Sequence, residues 1–469
     1  MTTAPSAKKT SSPWLLAILS CGFIMAVLDT TGVVLAVPEI KKFLVVSMGS
    51  SIWIINAYIL SLSTLLLLAG NLANKYGARR MLVTGMVLFI LASLGCAFAG
   101  SITLLIALRF IQGIGAALFM PSSMVILYAA YAPSGQLPKM LGIWTAIISV
   151  ATGTGSFIGG TLLQLFVWRS VFLINIPLGL LTITYILRQV PVDKKDATVK
   201  IDLLSNLLLV CTLASGVIFL VEGNQFGYGR WRILIFLGLT ILFGGLFALR
   251  LVHSQAPIIP KVLLGKPEFT AMNLVGLLTN VSLYGIVLVL GLYYQMALHL
   301  SAMTAGLLIL PGMTVLIFGN MVYAKFSDRI APARLAAGAA LVTLLGAGSM
   351  LLLAYLLAPL PLWAIILNFA VMSSGIGVVV PASTTLLMAA AGKTHASVAG
   401  AALNANKQIG GLFGTAIMGI VIANGGTNWA GIMQWTFLIN VVLYLLAMVL
   451  IGRLAGRKVP AAAPTDDPD

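Results

Sequence analysis

The chain has 469 residues, 60% of them hydrophobic and only 8% charged, with a formal net charge of +16 and a mean hydropathy of +1.07. A soluble domain carries about 25% charged residues, so this composition excludes a water-soluble globular protein and indicates an integral membrane protein. The positive charge falls in short connectors between apolar runs rather than in a basic stripe, which excludes a nucleic-acid interface.

Crossing the hydrocarbon core takes about 20 apolar residues, and runs of that length recur along the whole chain. They predict an all-α integral membrane protein of about 14 transmembrane helices, near 14–37, 51–70, 81–100, 102–128, 140–164, 168–189, 203–221, 231–253, 269–293, 301–323, 334–357, 361–389, 398–423 and 430–453. The first run follows Lys8 and Lys9 but is too long for a signal-peptide core, so it reads as a retained helix. The charged stretch RQVPVDKKDATVKID, 188–202, looks like a hinge between two bundles. The expected organisation is a cytoplasmic N-terminus (1–13), an N-terminal six-helix bundle (14–189), a cytoplasmic linker (190–202) and an inserted helix pair (203–253). A cytoplasmic loop (254–268), a C-terminal six-helix bundle (269–453) and a disordered cytoplasmic tail (454–469) complete it.

An internal repeat supports two halves related by pseudo-two-fold symmetry. GIGAALFMPSSMVIL from Gly113 matches GIGVVVPASTTLLM from Gly375 at an offset of 262, and GNLANKYGARR from Gly70 echoes AKFSDRIAPAR from Ala324, with Asn74 opposite Asp328 at an offset of 254. Of the 27 Lys and Arg residues, five (Lys41, Lys42, Arg169, Arg230 and Arg232) fall on one side of the predicted membrane, Arg109 and Lys407 fall within spans, and the other twenty share the side of both termini. The positive-inside rule then places both termini in the cytoplasm, in a plasma (inner) membrane, with Trp53, Trp168, Trp231, Trp363 and Trp429 at the outer boundary.

The residue that organises the chemistry is Asp29, in SCGFIMAVLDTTGVVLAVPEI, the one acid deep in an apolar run. A charge near the bilayer centre costs about 2.5–3.5 kcal/mol, so it is rare unless it is used, the plain alternative being a carboxylate that pins one helix to another. Arg109, in LIALRFIQGIGAAL, needs an anionic partner or water at its depth; Asp29 is the buried acid available, and Gln112 shares the Arg109 face at i+3. The run GIWTAIISVATGTGSFIGGTLLQ concentrates Gly153, Gly155, Gly159 and Gly160, which permit close helix approach or bending. Lys407, in GAALNANKQIGGLFGTA, is flanked by Asn404, Asn406 and Gln408; it either lines a wet cavity or snorkels to the membrane edge. Glu222, close to Arg230 and Arg232, reads as part of a local ion pair at the interface. Neither the three cysteines nor the three histidines are spaced as metal ligands, no cofactor is expected, and no nucleophile, base and acid set or GxxxxGK[ST] loop marks an enzyme.

These strings, taken in order, resemble the fourteen-helix drug:proton antiporter branch of the major facilitator superfamily. LDTTGVVLAVPEI is similar to its first-helix motif, GNLANKYGARR to the superfamily's second-to-third-helix loop, and LIALRFIQGIGAA to the fourth-helix motif with its arginine. GTGSFIGGTL resembles the fifth-helix antiporter motif, WRSVFLINIPLG the sixth-helix signature, and NKQIGGLFGTA the thirteenth-helix segment. The chain departs from those patterns at Asn74, where an acid is usual, at Ser156, where proline is usual, and at Val34, near a usual asparagine.

The resemblance implies alternating access, two bundles rocking about a central cavity. It implies Asp29 and Arg109 as the proton-coupling pair, and a substrate cavity with Asp29, Thr31, Gln112, Asn404, Lys407 and Gln408. It further implies gating loops at Gly70, Asn74, Gly77, Arg79, Arg80, Asp328 and Arg329, and the antiporter glycines 153, 155, 159 and 160. The implied function is a monomeric, proton-coupled multidrug efflux antiporter that works in the lipid bilayer, with protons and lipophilic, often cationic, small molecules as partners. An exporter or importer of a specific anionic or neutral metabolite or antibiotic, and a non-transporting membrane sensor, are the other readings the residues allow.

Overall fold

The computed structural model describes residues 13–131, 137–192, 202–253, 261–327, 329–357, 360–392 and 396–455. Asp328, most of the expected linker, residues 254–260 of the expected cytoplasmic loop, the tail from 456 and the first 12 residues lie outside the described residues. The described residues form helices joined by short turns, without a strand.

The helices are α1 (Pro13–Leu44), α2 (Met48–Tyr76), α3 (Ala78–Ala97), α4 (Ile102–Tyr131), α5 (Leu137–Leu165), α6 (Asn175–Gln189) and α7 (Leu203–Phe226). They continue as α8 (Trp231–His253), α9 (Pro267–Leu292), α10 (Ala302–Phe326), α11 (Pro332–Leu356), α12 (Leu362–Ala391), α13 (Ala396–Gly425) and α14 (Trp429–Ala455). Among the described residues 13 helical segments are long and apolar enough to cross a membrane, and α5, of 29 residues, occupies the place of the predicted fifth span. Among the described residues fourteen helices, α6 together with the turn before it, therefore stand where fourteen apolar runs predict them.

Local chemistry sets several of the ends. Ser47 caps α2, its hydroxyl accepting from the Ser50 amide at 3.1 Å. Pro267 and Pro332 open α9 and α11, where a missing N–H costs no helical bond. Gly77 turns the chain between α2 and α3 at φ +98°, a conformation that a side chain would strain. The predicted sixth span is interrupted: a single turn, Ser170–Leu173, precedes α6, because Pro177 has no amide hydrogen to give the Leu173 carbonyl. The first helix outlasts its apolar run, ending at Leu44 beyond Glu39, Lys41 and Lys42, since hydropathy marks the bilayer and not the end of the backbone ladder.

The chain divides into two compact units. The first runs to Ala214 and takes in Tyr294–Leu307; the second holds Ser215–Tyr293 and the chain from Leu308. Within the first, α4 packs on α2 and α3, and α1 on α5 and α6. Within the second, α9 packs on α13 and α12, and α11 on α12 and α14. The boundary thus falls inside α7, the first of the expected inserted pair. In the second unit α7 and α8 touch through Thr240, whose hydroxyl donates to Ser215 Oγ at 3.0 Å.

Close helix contacts in each unit show which repeat positions correspond. A Cβ on Gly115 of α4 would stand 2.7 Å from the Gly85 carbonyl oxygen and the Phe89 amide nitrogen of α3. On Gly375 of α12 it would run into the Ala339 carbonyl and the Thr343 hydroxyl of α11. Gly85 and Phe89 pair with Ala339 and Thr343 at the expected offset of 254. Gly115 pairs with Gly375, as Pro121 does with Pro381, at 260. The sequence match of Gly113 with Gly375 is therefore two residues out, because packing, not the GIG string, fixes the register.

Candidate functional site

Asp29 and Arg109 are wholly buried, at 0% exposure each, and form an ion pair inside the first unit. Each side chain is held from several helices. Arg109 Nε donates to the Ile54 carbonyl of α2 at 2.8 Å, and its Nη1 donates to Asp29 Oδ2 and, at 2.7 Å, to Gln112 Oε1. The guanidinium carbon lies 4.3 Å from the centre of the Tyr58 ring and 5.8 Å from that of Phe172, so aromatic faces screen the cation where water is excluded.

Gln112 carries the link onward. Its Nε2 donates to Asp29 Oδ1 at 2.9 Å and to Ser93 Oγ of α3 at 2.8 Å. Asn175, the first residue of α6, donates to the same Asp29 oxygen at 3.5 Å and to Ser93 Oγ at 3.4 Å. Both oxygens of Asp29 are therefore engaged by donors from α4 and α6, and none of its surface is exposed to a cargo molecule. A buried charge is tolerated when it is paired and hydrogen-bonded, and this carboxylate is both.

The sequence brought Asp29, Arg109 and Gln112 together; Ser93, Asn175, Tyr58 and the Ile54 carbonyl are additions from the structure. Asn175 lies in WRSVFLINIPLG, and an amide in an otherwise apolar stretch of that motif was the signal available. Thr31 lies outside the network: its hydroxyl donates to the Val27 carbonyl at 2.9 Å, and it packs against Gly155 of α5. Gly159 meets Gly32 of α1, where a Cβ would come within 2.5 Å of the Gly32 Cα, and Gly160 meets the Ala302 backbone at the start of α10. Ser301 Oγ donates to Gln164 Oε1 at 3.0 Å beside that contact. Gly153 lies on the same helix.

At the α2–α3 turn, Arg79 Nη2 donates to the Leu187 carbonyl at 2.6 Å and so ties the turn to the last residues of α6. Asn74 and Arg80 are exposed there, and Gly70 is half-buried. Arg329, in the corresponding turn of the second unit, is exposed. Asn404, Lys407 and Gln408 lie on α13 of the second unit; Asn404 is exposed, and the other two are half-buried. Their neighbour Asn406 donates to the Asn273 carbonyl of α9 at 2.7 Å and to its Oδ1 at 2.8 Å.

Comparison with known proteins identifies the frame in which this site sits. The family model described as Major Facilitator Superfamily matches residues 19–415. The chain belongs to that superfamily. It is therefore a multi-pass membrane transporter and not an enzyme. It is 38% identical over 440 residues to the methylenomycin A resistance protein of Bacillus subtilis, covering 93% of each chain. It is 37% identical over 447 residues to the protein of the same name from Streptomyces coelicolor, covering 95% of this chain and 93% of that one. Among solved structures, a peptide transporter, POT, in complex with sulfate superposes with a TM-score of 0.69 at 15% identity, covering 94% of this chain and 96% of the other, which is a likeness of fold.

Proposed function

We propose that this superfamily member is a proton-coupled exporter of lipophilic, drug-like compounds, in which Asp29 carries the proton and Arg109 and Gln112 are its counter-groups. The observation that carries the reading is a carboxylate without exposed surface, held by donors from α4 and α6. Resistance to an antibiotic, in the names of the relatives, supports the drug-export part.

The chemistry follows from what each atom does. Ionised Asp29 only accepts hydrogen bonds, and every neighbour facing it donates. A proton on Asp29 turns one acceptor into a donor pointed at another donor and removes the counter-charge of Arg109. Arg109 then keeps only the Ile54 carbonyl and the Gln112 oxygen, and Gln112 and Asn175 lose a charged acceptor. Because these groups come from four helices, α1, α2, α4 and α6, protonation shifts the balance of packing in the whole unit, and alternating access converts that shift into exchange of proton for cargo. The α2–α3 turn, through Gly70, Asn74, Gly77, Arg79 and Arg80, and its counterpart with Asp328 and Arg329, serve as gates in this scheme. The glycines 153, 155, 159 and 160 let α5 close against its neighbours.

The test is uphill uptake of a fluorescent lipophilic probe by inverted vesicles under an imposed pH gradient. Wild type accumulates probe and loses it on addition of a protonophore; Asp29→Asn binds probe without accumulating it. Gradient-driven accumulation by Asp29→Asn at the wild-type level overturns the assignment.

A further inference from the structure

The charges inside the spans do not balance. Of the 11 acids in the chain, Asp29 is the one near the middle of a span, and Arg109 and Gln112 already occupy it. Lys407 is left over. It stands about 16 Å along α13 from the first residue of that helix, at 1.5 Å of rise per residue. Among the described residues no carboxylate pairs with it and no acceptor takes its hydrogens, yet it is half-buried and so reachable by a ligand. A lysine ammonium offers three N–H donors and no acceptor, and an uncompensated cation at depth is costly unless a counter-ion completes it.

The surroundings are built for an anion carrying an apolar body. One turn before Lys407, Asn404 is exposed and uses its amide group for a single bond to the Gly400 carbonyl, at 3.1 Å, so a second N–H is open to a ligand. One turn after, Gly411 brings α13 against the Tyr284 ring of α9, 3.4 Å from where a Cβ would stand. The adjacent Asn406 is locked onto Asn273, which fixes the rotation of α13 on α9 and with it the direction in which the Lys407 stripe faces. Cation, open amide and aromatic face therefore follow one another along a single side of α13.

We infer that Asn404, Lys407 and the Tyr284 ring form a carboxylate subsite in the second unit, and that the exported compound is a lipophilic monocarboxylate anion. The inference rests on the export reading and specifies the cargo of that reading.

Three probes sharing one fluorophore test it: dansylglycine (anionic), dansylamide (neutral) and dansylcadaverine (cationic), titrated against the purified full chain in detergent micelles. Wild type binds dansylglycine at least about tenfold more tightly than either other probe, the scale of a charge-assisted hydrogen bond. Lys407→Met removes that preference and leaves dansylamide binding unchanged, while Lys407→Arg keeps it. A wild-type chain that binds dansylglycine no better than dansylamide overturns the subsite without any variant having to fold. So does undiminished dansylglycine binding by Lys407→Met, the result a snorkelling lysine would give. Because these titrations involve no gradient, they fail on probe charge, whereas the vesicle assay fails on proton dependence.

Discussion

Arg109 is the side chain on which the buried network depends, because it touches α1, α2 and its own helix at once. Removing one partner of a buried pair costs about 3–5 kcal/mol, as the other charge is left uncompensated. Arg109→Met is therefore expected to lower unfolding stability in detergent by that amount, while the double variant Asp29→Asn with Arg109→Met loses less than the sum of the two single changes. The link between Asp29 and Arg109 was legible in the sequence because a deep charge in an apolar medium must find a partner, and few were on offer. Ser93 and Asn175 were not legible. Neutral polar residues in spans commonly spend their hydrogens on their own helix, as Ser20 does on the Leu16 carbonyl and Thr182 on the Leu178 carbonyl. Nothing in the sequence separates those from the few that turn inward.

At the scale of elements, α1 and α5 meet where neither has a side chain, at Gly32 and Gly159. Gly159→Val forces the two backbones apart and is expected to lower the melting temperature and the yield of folded protein, read by size-exclusion chromatography after heating. Gly245→Ala, on α8 with nothing within 4 Å of the added methyl, is the control and is expected to be neutral or to stabilise by up to about 1 kcal/mol. Helix number and order were legible because length and hydropathy alone define a span. The register of the repeat was misread by two residues, because small residues recur along these helices and a three-letter match does not show which glycine faces the neighbouring backbone. The break before α6 had a visible cause in Pro177. The boundary inside α7 had none, since α7 reads as apolar on both sides of Ala214.

At the scale of the molecule, the two units share a plan and differ in charge. Position 369, which corresponds to Arg109 at the offset of 260, is a buried phenylalanine packed on Gly312, so the described residues of the second unit hold no copy of the ion pair. The unequal distribution of basic residues predicts that both ends of the chain face the cytoplasm. A green fluorescent protein fused after Asp469 is expected to fluoresce, and alkaline phosphatase at the same place to be inactive; the reverse pattern would invert the topology.

A lysine that seats an anion also has a consequence for energy supply. If one proton enters for each monocarboxylate that leaves, about two positive charges move inward per cycle, worth about 4.6 kcal/mol at 100 mV, negative inside. That is roughly three orders of magnitude of concentration ratio. Voltage alone, set with valinomycin and potassium across vesicles at equal pH on both sides, should then drive dansylglycine uphill.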